Sequence, residues 1–412
     1  MHYNLLYYGA TSNQCNTSNN NINTKDGHLK KILAHVKPDI FTVNEMGCNT
    51  VYGQRILERC LNVDGETKYA RTELQTGGSQ NLCNMLFYNT EKVGWSWVDK
   101  MTQDGAGNRY VRSIDMHQLY FKGEYLDHGA DTVRFKYIVS HLKAGNSSND
   151  RNERAWTTQG VMDYLANTYR DGNMIFAGDL NVYNSTETGY QNLTNYVQPD
   201  YSFQDPINRP GKWNNNSSFA DIHTQSTHSS NSNACFSSGG MDDRFDQILL
   251  SKSLMQGHDQ MQYVDSSYDA LGQDGKRYNQ SINSPANTVV STQIADALYG
   301  MSDHLPVILK LKASTSIPSS VNDLAGKTGR QFSVKRWNDN RLRISTNGPQ
   351  GESWQIQISD LTGRSLYSST FNISTEDIEL LLPSSLEQAG IYLISMYSGH
   401  QWIGTQKVFL QP

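Results

Sequence analysis

A layered α/β body followed by a small all-β domain is the architecture that the 412-residue sequence predicts. Strand-like and helix-like segments alternate through residue 312, several of those strands are apolar throughout, and short strands recur at close spacing beyond a polar linker. A strand that is apolar on both faces has to be covered on both, which favours stacked layers over an open sheet. A chain of 412 residues also exceeds one ordinary core, so two domains are expected.

The strand candidates of the first region are residues 3–8, 40–43, 82–88, 113–121, 132–140, 174–177, 245–250 and 306–311. Helices are expected over 27–36, 52–60 and 152–169, the last placing Ala155, Gln159, Met162 and Leu165 near one face. Residues 199–240 differ: rich in Asn, Ser, Gly and Pro and without a period, they read as a long loop. Asp205, Arg209, Trp213, His223 and His228 within it are of types useful for substrate contact, and equally ordinary on a solvated surface.

Residues 313–329, mostly Ser, Thr, Gly and Ala, read as a linker between a domain over 1–312 and one over 330–412. In the latter, short strands at 341–345, 354–359, 365–369, 378–382, 390–397 and 406–410 alternate with turn signals such as Asn347-Gly348 and Thr362-Gly363, the pattern of a small sandwich. Its Trp337, Trp354 and Trp402 would alternatively suit a sugar-binding platform.

The composition, 37% hydrophobic and 18% charged, is that of a globular protein. All of the net charge of −5 falls on the first region, with 27 basic and 32 acidic residues, which argues against a broad basic face for gripping duplex nucleic acid. A local phosphate site stays open, because a bound metal can supply positive charge. The five cysteines, at 15, 48, 60, 83 and 235, have no zinc-type spacing. Their odd number leaves at least one thiol free in a monomer, and one or two disulfides can form. No apolar run is long enough to span a bilayer. Met1 leads almost directly into a strand with no basic flank or cleavage site, so the chain is expected to be either cytosolic or numbered after a removed leader.

Residues suited to chemistry cluster at the strand ends of the first region. They are Asn4 in the first strand, Glu45 after 40–43, Ser140-His141-Leu142-Lys143, Gly178-Asp179-Leu180-Asn181, Arg244-Phe245-Asp246 and Ser302-Asp303-His304-Leu305-Pro306. Each alone is weak, since a Gly-Asp-Leu-Asn tetrapeptide is a reasonable turn and a lone His is usually a satisfied one. Together they cover what phosphodiester hydrolysis needs: a hard cation, an activated water and donors for developing charge. Glu45 and Asp303 offer oxygen ligands of the kind Mg²⁺ or Ca²⁺ prefers, Asp179 can take a proton from water, His141 can hold phosphate and Asp246 can orient His304.

In this order the motifs resemble those of the endonuclease/exonuclease/phosphatase superfamily, over about the first 312 residues. The resemblance implies a four-layer α/β sandwich of the DNase-I-like kind with these residues gathered at one edge of two facing sheets. It implies Glu45, Asn4 and Asp303 at a Mg²⁺ site (Mn²⁺ or Ca²⁺ serving instead), Asp179 on the attacking water, and Asn181, His141, His304 and Arg112 on the phosphate, with Asp246 behind His304. Abasic-site enzymes carry an acidic residue two places after the strand Asn, where this chain has Leu6, which tilts the resemblance away from that branch. Segment 26–45 is similar to secreted members from the Bacteroidetes.

The stretch from Asp360-Leu361-Thr362-Gly363-Arg364 through Ala389-Gly390-Ile391-Tyr392 to Lys407-Val408-Phe409 resembles a type IX secretion sorting domain, implying a secreted or cell-surface protein that meets the secretion machinery. The expected function is that of a secreted, monomeric, metal-dependent nuclease cleaving phosphodiesters. Phospholipid headgroups (as for a sphingomyelinase) or inositol phosphates are the alternative substrates. A glycosidase, which would work in excess chelator, and a non-catalytic surface binding protein are the rivals from other classes.

Overall fold

In the computed structural model, all residues are described except 78–80, 124–132, 171, 231–232, 314–331, 339–340, 362, 374–376, 383–385, 387–389, 400 and 411–412. Two compact units make up the chain, one of residues 1–122 with 133–314, the other of 315–412 with 123–132. The linker expected at 313–329 lies, apart from Ala313, outside the described residues.

Strands and helices are numbered along the chain. One six-stranded sheet of the first unit runs β12 (Asp269–Ala270), β13 (Val307–Ile308), β1 (His2–Tyr8), β2 (Ile40–Gly47), β4 (Leu82–Asn89), β3 (Tyr69–Arg71). The other runs β5 (Val93–Gln103), β6 (Arg109–Phe121), β7 (Arg134–His141), β8 (Met174–Asp179), β10 (Asp246–Ser251), β9 (Phe203–Gln204). Each sheet has one parallel pair, β1 with β2 and β7 with β8, among antiparallel neighbours. A ribbon of β11 (Met261–Tyr263) and β14 (Leu311–Ala313) stands apart.

Three layers of side chains hold this unit together. Leu29 and Ile32 of α1 (Ile22–Val36) and Leu298 of α6 (Thr292–Met301) pack on Tyr3, Leu5, Phe41 and Phe87 of the first sheet. On the second sheet, Val161, Met162 and Leu165 of α3 (Ser148–Thr168) and Leu193 of α4 (Thr188–Thr194) pack on Ile114, Ile138 and Phe176. Between the sheets lie Leu86, Phe135, Tyr137, Val139, Ile175, Ala177 and Ile248. Helix, sheet, sheet, helix is the four-layer α/β sandwich expected. Two short helices, α2 (Thr50–Ile56) and α5 (Lys252–Gln256), are also present.

The expected helices are present with longer N-termini. α1 starts at residue 22 because the Asn21 side chain accepts the backbone N–H groups of Asn23 and Thr24. α3 starts at 148 through a capping box between Ser147 and Asp150. Sequence periodicity missed β5, an edge strand with a polar outer face, and α6, whose apolar content gave no strand or helix signal strong enough to separate it from its loop.

Strand alternation decides which residues face the neighbouring sheet. In β1 and β2, Tyr3, Leu5, Phe41 and Val43 turn toward the helices, so the alternate residues His2, Asn4, Thr42 and Asn44 point inward. They form a buried polar seam: His2 Nδ1 lies 3.0 Å from Thr42 Oγ1, Thr42 Oγ1 lies 3.3 Å from Tyr137 Oη, and Asn44 donates to Asn84 at 2.7 Å. Asn84 in turn donates to the Ser113 carbonyl at 3.0 Å, and the Asn44 oxygen accepts the Asp179 N–H at 3.0 Å. Any one of these groups left without its partner would cost about 1–3 kcal/mol, so the seam fixes the register of sheet against sheet.

In the second unit, β15 (Phe332–Asn338), β16 (Arg341–Thr346) and β19 (Asp377–Leu381) form one sheet. The other is β18 (Ser365–Asn372), β17 (Ser353–Ser359), β20 (Gly390–Ser398) and β21 (Gln401–Leu410). Val334, Ile344, Trp354, Ile356, Ile394 and Met396 fill the space between them, the small sandwich expected, with β15 the strand that the sequence reading missed. Trp354 is fully buried and so joins no exposed platform, Trp402 is half-buried and donates Nε1–H to Thr405 Oγ1 at 3.2 Å, and the Trp337 side chain lies outside the described ones.

Asp115 faces the seam opposite Val139, and burial pushes its carboxyl up to about 7 from 3.8, despite the Ser113 and Asn84 groups beside it. A carboxyl whose pKa rises on folding binds its proton more tightly when native, so stability falls as pH rises from about 4 through 7 and is level above that. Asp115→Asn should gain on the parent across that window, by up to about 4 kcal/mol in chemical denaturation at pH 8 relative to pH 4. An unchanged difference between the two proteins at both pH values would mean that Asp115 ionises without cost.

Candidate active site and metal centre

The C-terminal ends of both parallel pairs point to the same edge of the sandwich, and the residues that follow from strand geometry meet there. Glu45 stands near the end of β2, and His141 and Asp179 end β7 and β8 as register partners. β10 runs the opposite way and so starts at this edge, with Asp246 opposite Asp179. The loop 302–306 enters β13 beside β1 and delivers Asp303 and His304. Gly178 permits the approach of β7, since a Cβ there would stand 1.9 Å from the Ser140 carbonyl oxygen.

A distortion in β1 and β2 aims Asn4 and Glu45. Leu6, Tyr7 and Glu45 have left-handed φ of 48°, 53° and 57°, each costing a non-glycine residue about 1–2 kcal/mol. The register between the strands shifts between Asn4 and Tyr8, and that of β2 with β4 between Val43 and Met46, the mark of bulges. Carbonyls freed from the ladder find other donors. Lys25 of α1, only 2% exposed, donates Nζ to Leu5 O at 2.7 Å and Leu6 O at 2.5 Å, and Asn20 Nδ2 donates to Leu6 O and Tyr7 O at 3.1 and 3.0 Å. Burial pulls the Lys25 ammonium down to about 7, against the opposing pull of Asp303 and Glu45. So held, the bulge turns Tyr7 N–H onto Glu45 Oε2 at 3.2 Å, and Asn4 Oδ1 accepts Leu6 N–H at 3.0 Å.

The acidic centre is compact. Asn4 Nδ2 donates to Glu45 Oε1 at 3.2 Å and to Asp179 Oδ2 at 3.1 Å. His141 Nε2 lies 3.4 Å from Asp179 Oδ2 and 3.7 Å from Glu45 Oε1. Asp179 Oδ1 accepts the N–H of Asn181, another left-handed residue (φ 51°), whose side chain donates to Leu142 O at 3.3 Å. Arg112 Nη1 donates to the same carbonyl at 2.9 Å. His304 donates Nδ1–H to Asp246 at 2.7 Å while its Nε2 lies 3.8 Å from Asp179 Oδ2.

Electrostatics divide the two histidines. Burial, reinforced by Arg112 and His304, holds His141 well below its ordinary value, so it is neutral. Burial also pulls His304 down, but the carboxylates of Asp246, Asp179 and Asp303 outweigh it and hold it well above that value, so it is cationic. Burial, with the charges of Asp246 and Glu45, pushes Asp179 up to about 7, against His304 and Arg112. This crowding of buried carboxylates is what a cation would relieve.

Ligand atoms of Glu45, His141 and Asp179 all lie within 4.8 Å of one another, the one such group among the described residues. Two carboxylates and a neutral imidazole suit Mg²⁺ or Mn²⁺, the nitrogen favouring the latter. The set differs from Asn4, Glu45 and Asp303, expected from resemblance. Asn4 Oδ1 accepts the Leu6 N–H, and its amide nitrogen faces the carboxylates. Asp303 Oδ2 accepts Ser237 N–H at 3.0 Å, while its buried Oδ1 makes no hydrogen bond and remains a further oxygen donor.

The polar loop behaves differently from its sequence. Trp213, His223 and His228 are buried, Asp205 holds Arg244 through 2.7 and 2.9 Å bonds, and Arg209 pairs with Asp221. These groups build the loop instead of facing a substrate. What it brings to the site is Gln225, whose side-chain amide lies 2.7 Å from His304 Nε2 and 3.4 Å from Asp303 Oδ2, and Thr224, whose Oγ1 accepts the Asp246 N–H at 3.0 Å. Neither carries a motif signal. Two disulfides flank the centre: Cys48–Cys83 ties the end of β2 to β4, and Cys15–Cys235 ties the segment after β1 to that before β10, leaving Cys60 free and buried.

No family model and no curated protein matches the chain. Solved structures that resemble it include an endonuclease/exonuclease/phosphatase family protein from Bacteroides thetaiotaomicron, at 17% identity and TM-score 0.43, covering 76% of this chain and 94% of that one. D. rerio TDP2 complexed with single strand DNA product is similar at 16% identity and TM-score 0.46, covering 76% and 97%. The human Nocturnin catalytic domain with bound sulfate is similar at 13% and 0.44, covering 71% and 87%. Likenesses of this degree assign neither substrate nor residue roles.

Calorimetric titration with Mn²⁺ tests the centre directly. Glu45→Gln should weaken binding by about 100-fold, and Lys25→Met, which removes the clamp on the bulge carbonyls, by about tenfold. Parent-like affinity in Glu45→Gln would move the metal elsewhere.

Proposed function

We propose that the first unit is a metal-dependent phosphodiesterase acting on nucleic acid, and that the protein works outside the reducing cytoplasm. One arrangement carries the catalytic reading: His141 Nε2 and His304 Nε2 lie 3.4 and 3.8 Å from Asp179 Oδ2, with Glu45 Oε1 3.7 Å from His141 and Asp246 Oδ2 2.7 Å from His304. A divalent cation held by Glu45, His141 and Asp179 would act as a Lewis acid on a phosphate oxygen.

The remaining roles follow from the residues themselves. His304, fixed by Asp246 and positively charged, can donate Nε2–H to a non-bridging oxygen as negative charge grows there. Asp179, held by Asn4, Asn181 N–H and His141, can align an attacking water and accept its proton. Arg112, buried with its Nε making no hydrogen bond, brings positive charge beside Glu45 and Asp179. Asn4 and Tyr7 N–H keep Glu45 in place and Asp303 completes the acidic rim. Nucleic acid is preferred over a lipid headgroup because the sequence carries no amphipathic or aromatic-rich hairpin signal for insertion into a membrane.

Two disulfides support the extracellular reading, since such bonds persist in oxidising compartments. The sorting role of the C-terminal sandwich is proposed from its sequence pattern.

A bis-aryl phosphodiester, single-stranded DNA, duplex DNA, RNA, sphingomyelin and inositol phosphates, assayed side by side with Mg²⁺ or Mn²⁺, test this reading. Turnover of nucleic acid or the generic diester is expected, abolished by EDTA and lowered at least about 100-fold in Asp179→Asn and His304→Ala. Cleavage of sphingomyelin alone, or undiminished turnover in EDTA, would refute it. A truncation ending at Ser314 should keep the turnover number, because each unit has its own buried core; loss of activity there would tie the sandwich to catalysis.

A further inference from the structure

At the edge of the α/β sandwich opposite the carboxylate centre lies a cavity of about 550 Å³, within the size range of small-molecule sites. The strand ends that define it are the reverse of those at the site. Asp39 and Ile40 open β2, Phe135 lies near the start of β7 and Ile175 near that of β8, whereas Glu45, His141 and Asp179 close the same strands. Its walls are apolar, formed by Phe121, Phe135, Ile175, Ile248 and Leu309, with the hydroxyl-bearing Tyr137 turned toward Thr42 of the seam. Nothing in the proposed hydrolysis uses it.

The mouth differs in charge from the protein as a whole. Lys37, Lys92, Lys310 and His35 line it, all exposed, against one carboxylate, Asp39. Lys92 pairs with Asp39 at 3.0 Å, while Lys37 and Lys310 make no ion pair among the described residues. A region with 27 basic and 32 acidic residues thus gathers uncompensated cations at the entrance of an apolar slot. The slot lies between two stacked sheets, about 10 Å apart in such packings, room for one layer of side chains or one extended hydrocarbon chain. A fused ring system or a pair of acyl chains would have to part the sheets.

We infer that this cavity binds a single-chain amphipathic anion of the fatty carboxylate class, its chain between the sheets and its head group among Lys37, Lys310 and Lys92. Burial of the chain supplies affinity and the lysines select the anion. This site is independent of the phosphodiesterase reading.

Isothermal titration of the full chain with sodium dodecanoate, below its micellar concentration, is the test. One ion per chain should bind with a Kd on the order of 10 µM, as expected for an apolar ligand of this size. Sodium butyrate should give no saturable heat, and neither should dodecyltrimethylammonium, which has the same chain and the opposite charge. Lys37→Glu with Lys310→Glu, both on the exposed rim, should weaken dodecanoate about tenfold or more, and Leu309→Trp should weaken it by filling the slot. Asp179→Asn should leave it unchanged. Absence of saturable binding, uptake of several ions per chain, or equal affinity for the cationic amphiphile and in the charge-reversed variant would each overturn the inference.

Discussion

A lysine ammonium buried beneath a bulged strand is the interaction on which the geometry of the carboxylate centre depends. In a regular β1, alternation would carry the positions after Asn4 straight on, and Glu45 would leave β2 on a face set by parity alone. The left-handed turns at Leu6, Tyr7 and Glu45 break that parity and bring both strands' polar groups to one point. Such backbone is costly and strips carbonyls of their ladder partners. Lys25 and Asn20 restore those partners from the α1 side, so the helix packed on the outer face of the sheet determines where a carboxylate stands on its upper edge.

Core and site are also joined through the inner face of the sheets. The Asn44 amide contacts Asp179 N–H across the gap and Asn84 within its own sheet, so sliding one sheet on the other would break a buried hydrogen bond before it moved an apolar contact. Apolar layers tolerate small shifts in register; a chain of amides does not. The distance between Glu45 on one sheet and Asp179 on the other is therefore set by directional bonds below them. Above them, burial with the positive charge of Arg112 lowers His141, whereas the carboxylates of Asp246, Asp179 and Asp303 raise His304 against its burial.

Much of this was legible in the sequence. The alternation of segments gave the layered body, and the Gly-Asp-Leu-Asn and Ser-Asp-His-Leu-Pro motifs marked Asp179, Asn181, Asp303 and His304, all of which the strand ends bring to one edge. Short motifs at strand termini are readable because topology, not fine geometry, brings them together. What stayed hidden depends on backbone detail or on distant pairing. Leu6 looked like a missing ligand, yet it is a bulge residue packed with Cys15, Cys235 and Phe236. Lys25 precedes the helix expected at 27–36, and Gln225 is one polar residue among many in a loop without a period. That loop also misled: its Trp213 and His223 bond and pack inward because a long connection must satisfy its own backbone before it can serve a ligand.

The bond between Cys15 and Cys235 spans 220 residues and so makes most of the α/β unit a covalent ring. Glu45, His141 and Asp179 lie on the ring, whereas Asp246, Asp303 and His304 lie on the chain that follows it. A single proteolytic nick anywhere on the ring opens it without releasing a fragment. The severed ends stay tethered within reach of each other, and the hydrogen-bonded seam and three packed layers can hold the two halves in register. In surroundings rich in proteases the molecule would thus tolerate a first cut as a change in chain connectivity without a loss of parts.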